Sequence, residues 1–188
     1  MKHIAITLFV LLAVTSVMSQ QPSSTSPATS LSSTTSSPVV AAARQMEERF
    51  SKNLIGAANA MPADKYSYRP TPEQITFAHL MMHSAQANNA LCAILAGQPP
   101  KEVKLNETDP KDVLAKAVQD SFTYCEQVLS GADDSGLGQS FTLGNQTGTR
   151  ASALLRLVAG WSDHYGAAAM YLRLNNLLPP SASKSEKH

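Results

Sequence analysis

The chain has 188 residues, 43% of them hydrophobic and only 15% charged, with a formal net charge of +1. That is enough apolar material for one folded domain once the ends are set aside. No basic cluster is present to grip phosphates, so nucleic acid is excluded as an expected partner.

Residues Met1–Ser19, MKHIAITLFVLLAVTSVMS, start with a basic residue, run apolar from Ile4 to Val14 and end in small residues. This is the three-part pattern of a secretory signal peptide, with cleavage expected after Val17-x-Ser19. The apolar run is shorter than the roughly 20 residues of a membrane span. The sequence therefore predicts export, periplasmic or secreted, with no stable membrane insertion after cleavage. Residues 20–38 are almost entirely Ser, Thr and Pro and lack an apolar period. Such a segment cannot bury enough surface to offset its ordering entropy, and reads as a disordered linker. Residues 181–188 read as a similar tail, which leaves 39–180 as the folded domain.

Four helical periods fill that domain. The first spans about Val39–Met61, with Ala43, Met46, Phe50, Leu54, Ala57 and Met61 on one face. In the turn-rich connection that follows, Tyr66 and Tyr68 are placed to cover one end of the core. Thr71 then reads as an N-cap, with Pro72 in the first turn and Gln74 closing a capping box. The second helix is expected to run on to about Ala96 and stop at Gly97. Its inward stripe is read as Thr76, Leu80, His83, Ala87, Ala90 and Ile94. Gln98–Thr108 holds two prolines and is long for a hairpin between helices, usually about 2–8 residues; a crossover along the bundle explains it. A third helix, capped by Asp109 and Pro110, carries Leu114, Val118, Ser121, Cys125 and Val128 inward. Asp133–Gly148 reads as a glycine-rich loop. A fourth helix starts near Thr149, with Leu154, Leu157, Trp161, His164, Ala168 and Tyr171 inward, and frays near Asn175. The expected fold is all-α, a four-helix bundle without strands.

In an exported chain the two cysteines become disulfide candidates. If the crossover makes helices two and three parallel, Cys92 and Cys125 lie level and can bridge. In an antiparallel pair they would be several turns apart at ~1.5 Å rise per residue, and two buried free thiols would remain.

The histidines are the chemically suggestive residues. His83 and His164 fall on inward stripes of different helices, which is how bundle metal sites are built, and neutral imidazole is a common transition-metal ligand. His79 lies four residues before His83 on the same side of the helix. Together the three could supply nitrogen donors and leave a position open for water or substrate. The bland alternative is core histidines with satisfied hydrogen bonds. Trp161, Tyr171 and Asn88 are read as residues of the same pocket, Asn88 and Gln86 being able to orient an imidazole. Asp163 points away and reads as a surface charge.

Three stretches, RPTPEQITFAHLMMHSAQANNALC, SFTYCEQVL and SDHYGAAAMYLRLNNLLPP, in this order and spacing, resemble the DinB/YfiT-like superfamily of metal-dependent four-helix bundles, a group that includes thiol transferases. The resemblance covers roughly Ala42–Pro180 and implies up-down-down-up connectivity with the long crossover between helices two and three. It implies a divalent ion held by one histidine from helix two and an HxxxH pair from helix four. Those positions map onto His83, Gly160 and His164, so the first helix-four ligand is replaced by a residue with no side chain. A cytosolic thiol-transfer activity fits an exported chain poorly.

Two readings stand at this point. In one, the chain is an exported bundle whose histidine site is degenerate, a non-catalytic binder of a small molecule or a partner helix. In the other it is an enzyme dependent on a divalent metal, zinc, nickel or manganese, of hydrolase or thiol-transferase type, using His83, His164 and His79. A homodimer is compatible with both. A third reading, a displayed adhesion or signalling module, has only the Ser/Thr tether behind it. The triplets Asn106-Glu107-Thr108 and Asn145-Gln146-Thr147 match the N-glycosylation acceptor pattern.

Overall fold

A computed structural model of the chain describes residues 37–182. The expected signal peptide, nearly all of the linker, and residues 183–188 of the tail lie outside the described residues. Four helices carry the domain: α1 (Pro38–Ala60), α2 (Phe77–Ala96), α3 (Lys111–Gly131) and α4 (Arg150–Leu174). Among the described residues no helix is long and apolar enough to cross a membrane.

Residue pairs fix how the helices run. Arg44 near the start of α1 donates to the Leu129 carbonyl near the end of α3 (2.7 Å), while Lys111 at the start of α3 donates to Asn59 O (2.8 Å). α1 and α3 are therefore antiparallel. Asn88 on α2 meets Ser121 on α3 at 3.1 Å, and one helical turn further along both helices Cys92 is bonded to Cys125, with Cα atoms 5.4 Å apart. α2 and α3 thus run in the same direction, and residues 97–110 carry the chain back along the bundle. On α4, Trp161 meets Asn88 and Tyr171 meets Ile75, just before α2 begins, so α4 opposes α2. Both α1 and α2 pack on α3 and α4, which puts each pair of sequence-adjacent helices, α1 with α2 and α3 with α4, across a diagonal.

The core is one continuous cluster drawn from all four helices, including Phe50, Leu54, Phe77, Met81, Leu114, Phe122, Leu157 and Trp161. Trp161 and Phe122 lie with ring centroids 5.7 Å apart. Each ordered helix end has a local cause. α4 opens with a capping box in which Thr149 and Ser152 satisfy each other's backbone N–H groups. It closes with Asn176 in the left-handed region at φ +58°. Asn176 N donates to Arg173 O and Leu177 N to Leu172 O, a Schellman closure that relieves the last carbonyls. α2 closes in the same way over Gly97 at φ +70°.

Several sequence expectations need correction. Thr71 does not cap α2. It closes a turn with Gln74, whose N–H donates to its carbonyl (3.1 Å), and the helix begins five residues later behind Thr76, whose hydroxyl accepts from His79 N. Asp109 does not cap α3; its carboxylate accepts from Asn106 N at 2.9 Å. The region expected to be a loop contains a 3-10 turn, Asp134–Gly138, and a two-stranded antiparallel hairpin, β1 (Ser140–Leu143) with β2 (Gln146–Thr149). Gly144 takes φ +57° at the first of the two loop positions, where tight hairpins need a left-handed residue.

At the other end of the domain, Pro179 is buried. Ser181 exchanges two hydrogen bonds with the Tyr165 hydroxyl, donating its N–H at 2.9 Å and accepting at its Oγ at 2.6 Å. The folded part therefore continues past Pro180 into the expected tail.

Candidate functional site

The stripe on α2 is only partly the one expected from sequence: Thr76, Leu80 and Ile94 are buried as expected. Met81, Ser84, Ala85, Asn88, Cys92 and Leu95 are buried, whereas Ala87 and Ala90 are only partly covered and His83 is exposed. His83 is thus not in the core position expected of it. It lies on the flank of α2 that faces α4, and there its ring meets that of His164, edge to face, with centroids 5.1 Å apart. The two imidazoles converge at the rim of the α2–α4 seam rather than in the bundle interior.

His164 is the more enclosed partner. Burial, with His83 second and only partly offset by Asp163, pulls its pKa down to about 4. The ring is therefore neutral at physiological pH. Its Nδ1 is shut off from solvent and has no hydrogen-bond partner among the described residues. Asp163 itself is exposed.

His79 does not join the pair. Its Nδ1 lies 3.1 Å from Glu107 Oε2 on the crossover, and Thr76 donates its hydroxyl to the same oxygen at 3.2 Å. Gln86 is also engaged by the crossover, donating to Val103 O at 3.3 Å. Gly160 sits one turn before His164 on α4. A Cβ built there would touch only His164 Cε1, at 3.7 Å, so a Cβ at 160 is accommodated and lies against that ring.

Trp161, Asn88 and Tyr171, expected to line a pocket, are packed core residues with exposures of 1%, 2% and 6%. Trp161 Nε1 donates to Asn88 Oδ1 at 2.8 Å; Asn88 Nδ2 donates to Ser121 Oγ, which donates to Val118 O at 2.7 Å. The Tyr171 hydroxyl donates to Ile75 O at 2.6 Å. This relay holds α4, α2 and α3 together and satisfies the buried polar groups it contains.

Does this arrangement suit a resident ion? Metal-bound histidines normally offer three or four donors with their neighbours, and pass the second ring N–H to a carbonyl or carboxylate. Here Gly160 contributes no donor, His164 Nδ1 has no partner of that kind, and among the described residues no group of three His, Cys, Asp or Glu side chains is assembled for a metal. Two imidazoles alone do not fit the group.

Sequence reading missed Glu47. It is 7% exposed, and burial, aided by Glu126, raises its carboxyl pKa to about 7. The signal was present: 43, 47, 50 and 54 form as good a helical stripe as the one chosen through Met46.

No protein-family model matches the chain, and no curated protein matches it. Solved structures do. A DinB-like protein from Bacillus cereus ATCC 10987 is similar with a TM-score of 0.61 at 14% identity, covering 73% of this chain and 93% of its own. A DinB-like protein from Bacillus subtilis gives 0.57 at 20% identity, over 70% and 92%. A DinB family member from Shewanella denitrificans gives 0.57 at 14%, over 73% and 88%. The fold of this chain is that of the DinB-like helical bundles.

Proposed function

We propose that this chain is an exported DinB-like bundle whose histidine site is degenerate, and that it works by binding a small molecule or a partner helix rather than by metal catalysis. The observation that carries this reading is Gly160: the position from which a third donor would reach the His83–His164 pair is a bare backbone, where a Cβ would meet the His164 ring at 3.7 Å. The exposed His83 ring meets His164 at the α2–α4 seam, and beneath that seam Trp161 is tied to Asn88. Export is supported by the signal-like start and by the Cys92–Cys125 disulfide, a bond that persists in oxidising compartments.

Metal titration tests the reading. Zinc, nickel or manganese at 100 times a dissociation constant would stabilise the fold by about 2.7 kcal/mol, a clear shift in a thermal melt. The wild-type chain is expected to show no such shift at micromolar metal, and untagged protein no stoichiometric metal. Gly160→His, whose Cβ would sit beside His164 without a clash, is expected to gain metal affinity by at least tenfold. A stoichiometric metal in the wild-type protein would overturn the proposal. It would establish the second reading, a metal-dependent enzyme using His83 and His164 with His79 rearranged, which the convergence of the two rings favours.

A further inference from the structure

The end of the bundle where α2 and α3 stop and α4 starts holds a cavity of about 340 Å³, with Leu95, Val128, Ala132, Gly136, Leu137 and Arg150 in its walls. Arg150 lies 14 residues before His164, about 21 Å along the helix at ~1.5 Å per residue. The two places are separate.

The Arg150 guanidinium is wedged between two glycines. A Cβ on Gly97 would overlap its Nη2, and one on Gly136 would lie 3.7 Å from its Nη1. A side chain at Gly97 would displace it, whereas one at Gly136 would only touch it, so Gly97 makes the slot in which the fork sits. The side chain is half-buried, yet no described carboxylate or carbonyl accepts from it.

Its neighbours are already committed. Arg44 takes the carbonyls of Leu129, Ser130 and Ala132 at the end of α3. Asp134 accepts from Val39 N and Val40 N at the start of α1. Asp133, also in the cavity wall, accepts from the Ser135 hydroxyl and from Gly136 N. What is left is a guanidinium with no ion pair among the described residues, at the positive end of the α4 macrodipole, in a recess whose walls are divided between the aliphatic side chains of Leu95, Val128 and Leu137 and the polar ones of Asp133, Ser135 and Gln139.

We propose that this recess binds a small organic monocarboxylate. Its carboxylate takes the two parallel N–H groups of the Arg150 fork, and its short aliphatic body lies on Leu95, Val128 and Leu137. The volume suits a compact ligand, at the lower end of the roughly 300–1,000 Å³ of small-molecule sites. The Asp133 carboxylate disfavours a dianion, which argues for a carboxylate over a phosphate.

The test is a titration of the disulfide-intact chain with hexanoate and, separately, inorganic phosphate, followed by amide chemical shifts. Hexanoate is expected to saturate, moving Gly97, Gly136 and Arg150 while leaving His83 and Gly160 in place, and to bind at least tenfold more weakly to Arg150→Gln. Phosphate is expected to bind more weakly than hexanoate. Absence of a saturable, localised response in the wild-type chain would overturn the site without recourse to any variant. An unchanged affinity in a folded Arg150→Gln would overturn the role of the guanidinium. Phosphate binding more tightly than hexanoate would overturn the monocarboxylate assignment.

Discussion

Two titratable side chains, the buried Glu47 and the half-buried His164, push the stability of this domain in opposite directions with pH. His164 has a folded pKa of about 4, below its ordinary value, so its burial is uncompensated only when a proton must be accommodated. Its contribution is intact above about pH 6.5 and is lost as pH falls toward 4. Glu47 has a folded pKa raised to about 7. The folded state prefers it protonated, so stability declines as pH rises from about 4.5 through 7. Each effect is worth about 1–2 kcal/mol once discounted for the relaxation of the surroundings around a buried charge. His164→Gln is therefore expected to melt higher than wild type at pH 4.5 relative to their difference at pH 7.5. Glu47→Gln should show the reverse, its relative gain appearing above pH 7. Melting curves across pH 4–8 check both, and parallel curves for a variant and wild type would remove that residue from the account. The same pair shows what composition hides. Glu47 sits in MEERF, which reads as a solvated charge run until the 43–47–50–54 step is followed. His83, by contrast, reads as inward because α2 is small or apolar nearly all round, with alanines at 85, 87, 90 and 93. A helix with so little contrast between its faces does not fix its own phase, and Asn88, the polar residue that does, is held by Ser121 and Trp161 on other helices.

At the scale of the elements, a cap can be distinguished from a look-alike by mutation. Thr76 closes α2 through its own hydroxyl, which accepts from His79 N at 3.0 Å and donates to Glu107. Thr76→Ala is expected to cost about 1 kcal/mol, as N-cap truncations do, with the loss of the Glu107 contact adding to it. Thr71→Ala, in an exposed turn, should stay within about 0.5 kcal/mol of wild type. Chemical denaturation of the two variants side by side decides it, and equal losses would contradict the capping geometry. Element existence was legible wherever the apolar period was long. The ends of the first, third and fourth helices fall within about a residue of the sequence reading. The start of α2 was not, because Thr71-Pro72 carries the residue types of a cap while the backbone there turns to bring Tyr66 and Tyr68 back over the core. The hairpin was missed because its strands are four residues each and largely exposed, so no buried face imposed an alternation on them. What the sequence made visible at the site was the meeting of His83 and His164; what it could not show was that this meeting occurs at the rim, and that His79 is turned to the crossover.

For the whole molecule, the crossover is the feature with the largest entropic consequence, and the disulfide is placed to offset it. Residues 97–110 run back along the bundle so that α2 and α3 can lie parallel, and parallel packing cannot be reached by a short turn. The Cys92–Cys125 bond closes a loop with a sequence separation of 33 that contains this entire segment. Constraining the unfolded chain over such a loop is worth about 3–4 kcal/mol in the chain-entropy model, a large share of the roughly 5–15 kcal/mol that holds a domain folded. The bond also lies one turn from the Trp161–Asn88–Ser121 relay, so the covalent tie and the buried hydrogen bonds register the same two helices against α4. The double variant Cys92→Ser, Cys125→Ser is expected to lose about 3–4 kcal/mol in urea while keeping Trp161 buried. Reduction of the wild-type chain should reproduce that loss. If the double variant lost stability and also exposed Trp161 in the folded baseline, the bond would be shaping the native packing rather than restricting the unfolded chain. A loss below about 1 kcal/mol would mean that the relay and the apolar seam already hold α2 and α3 level without it.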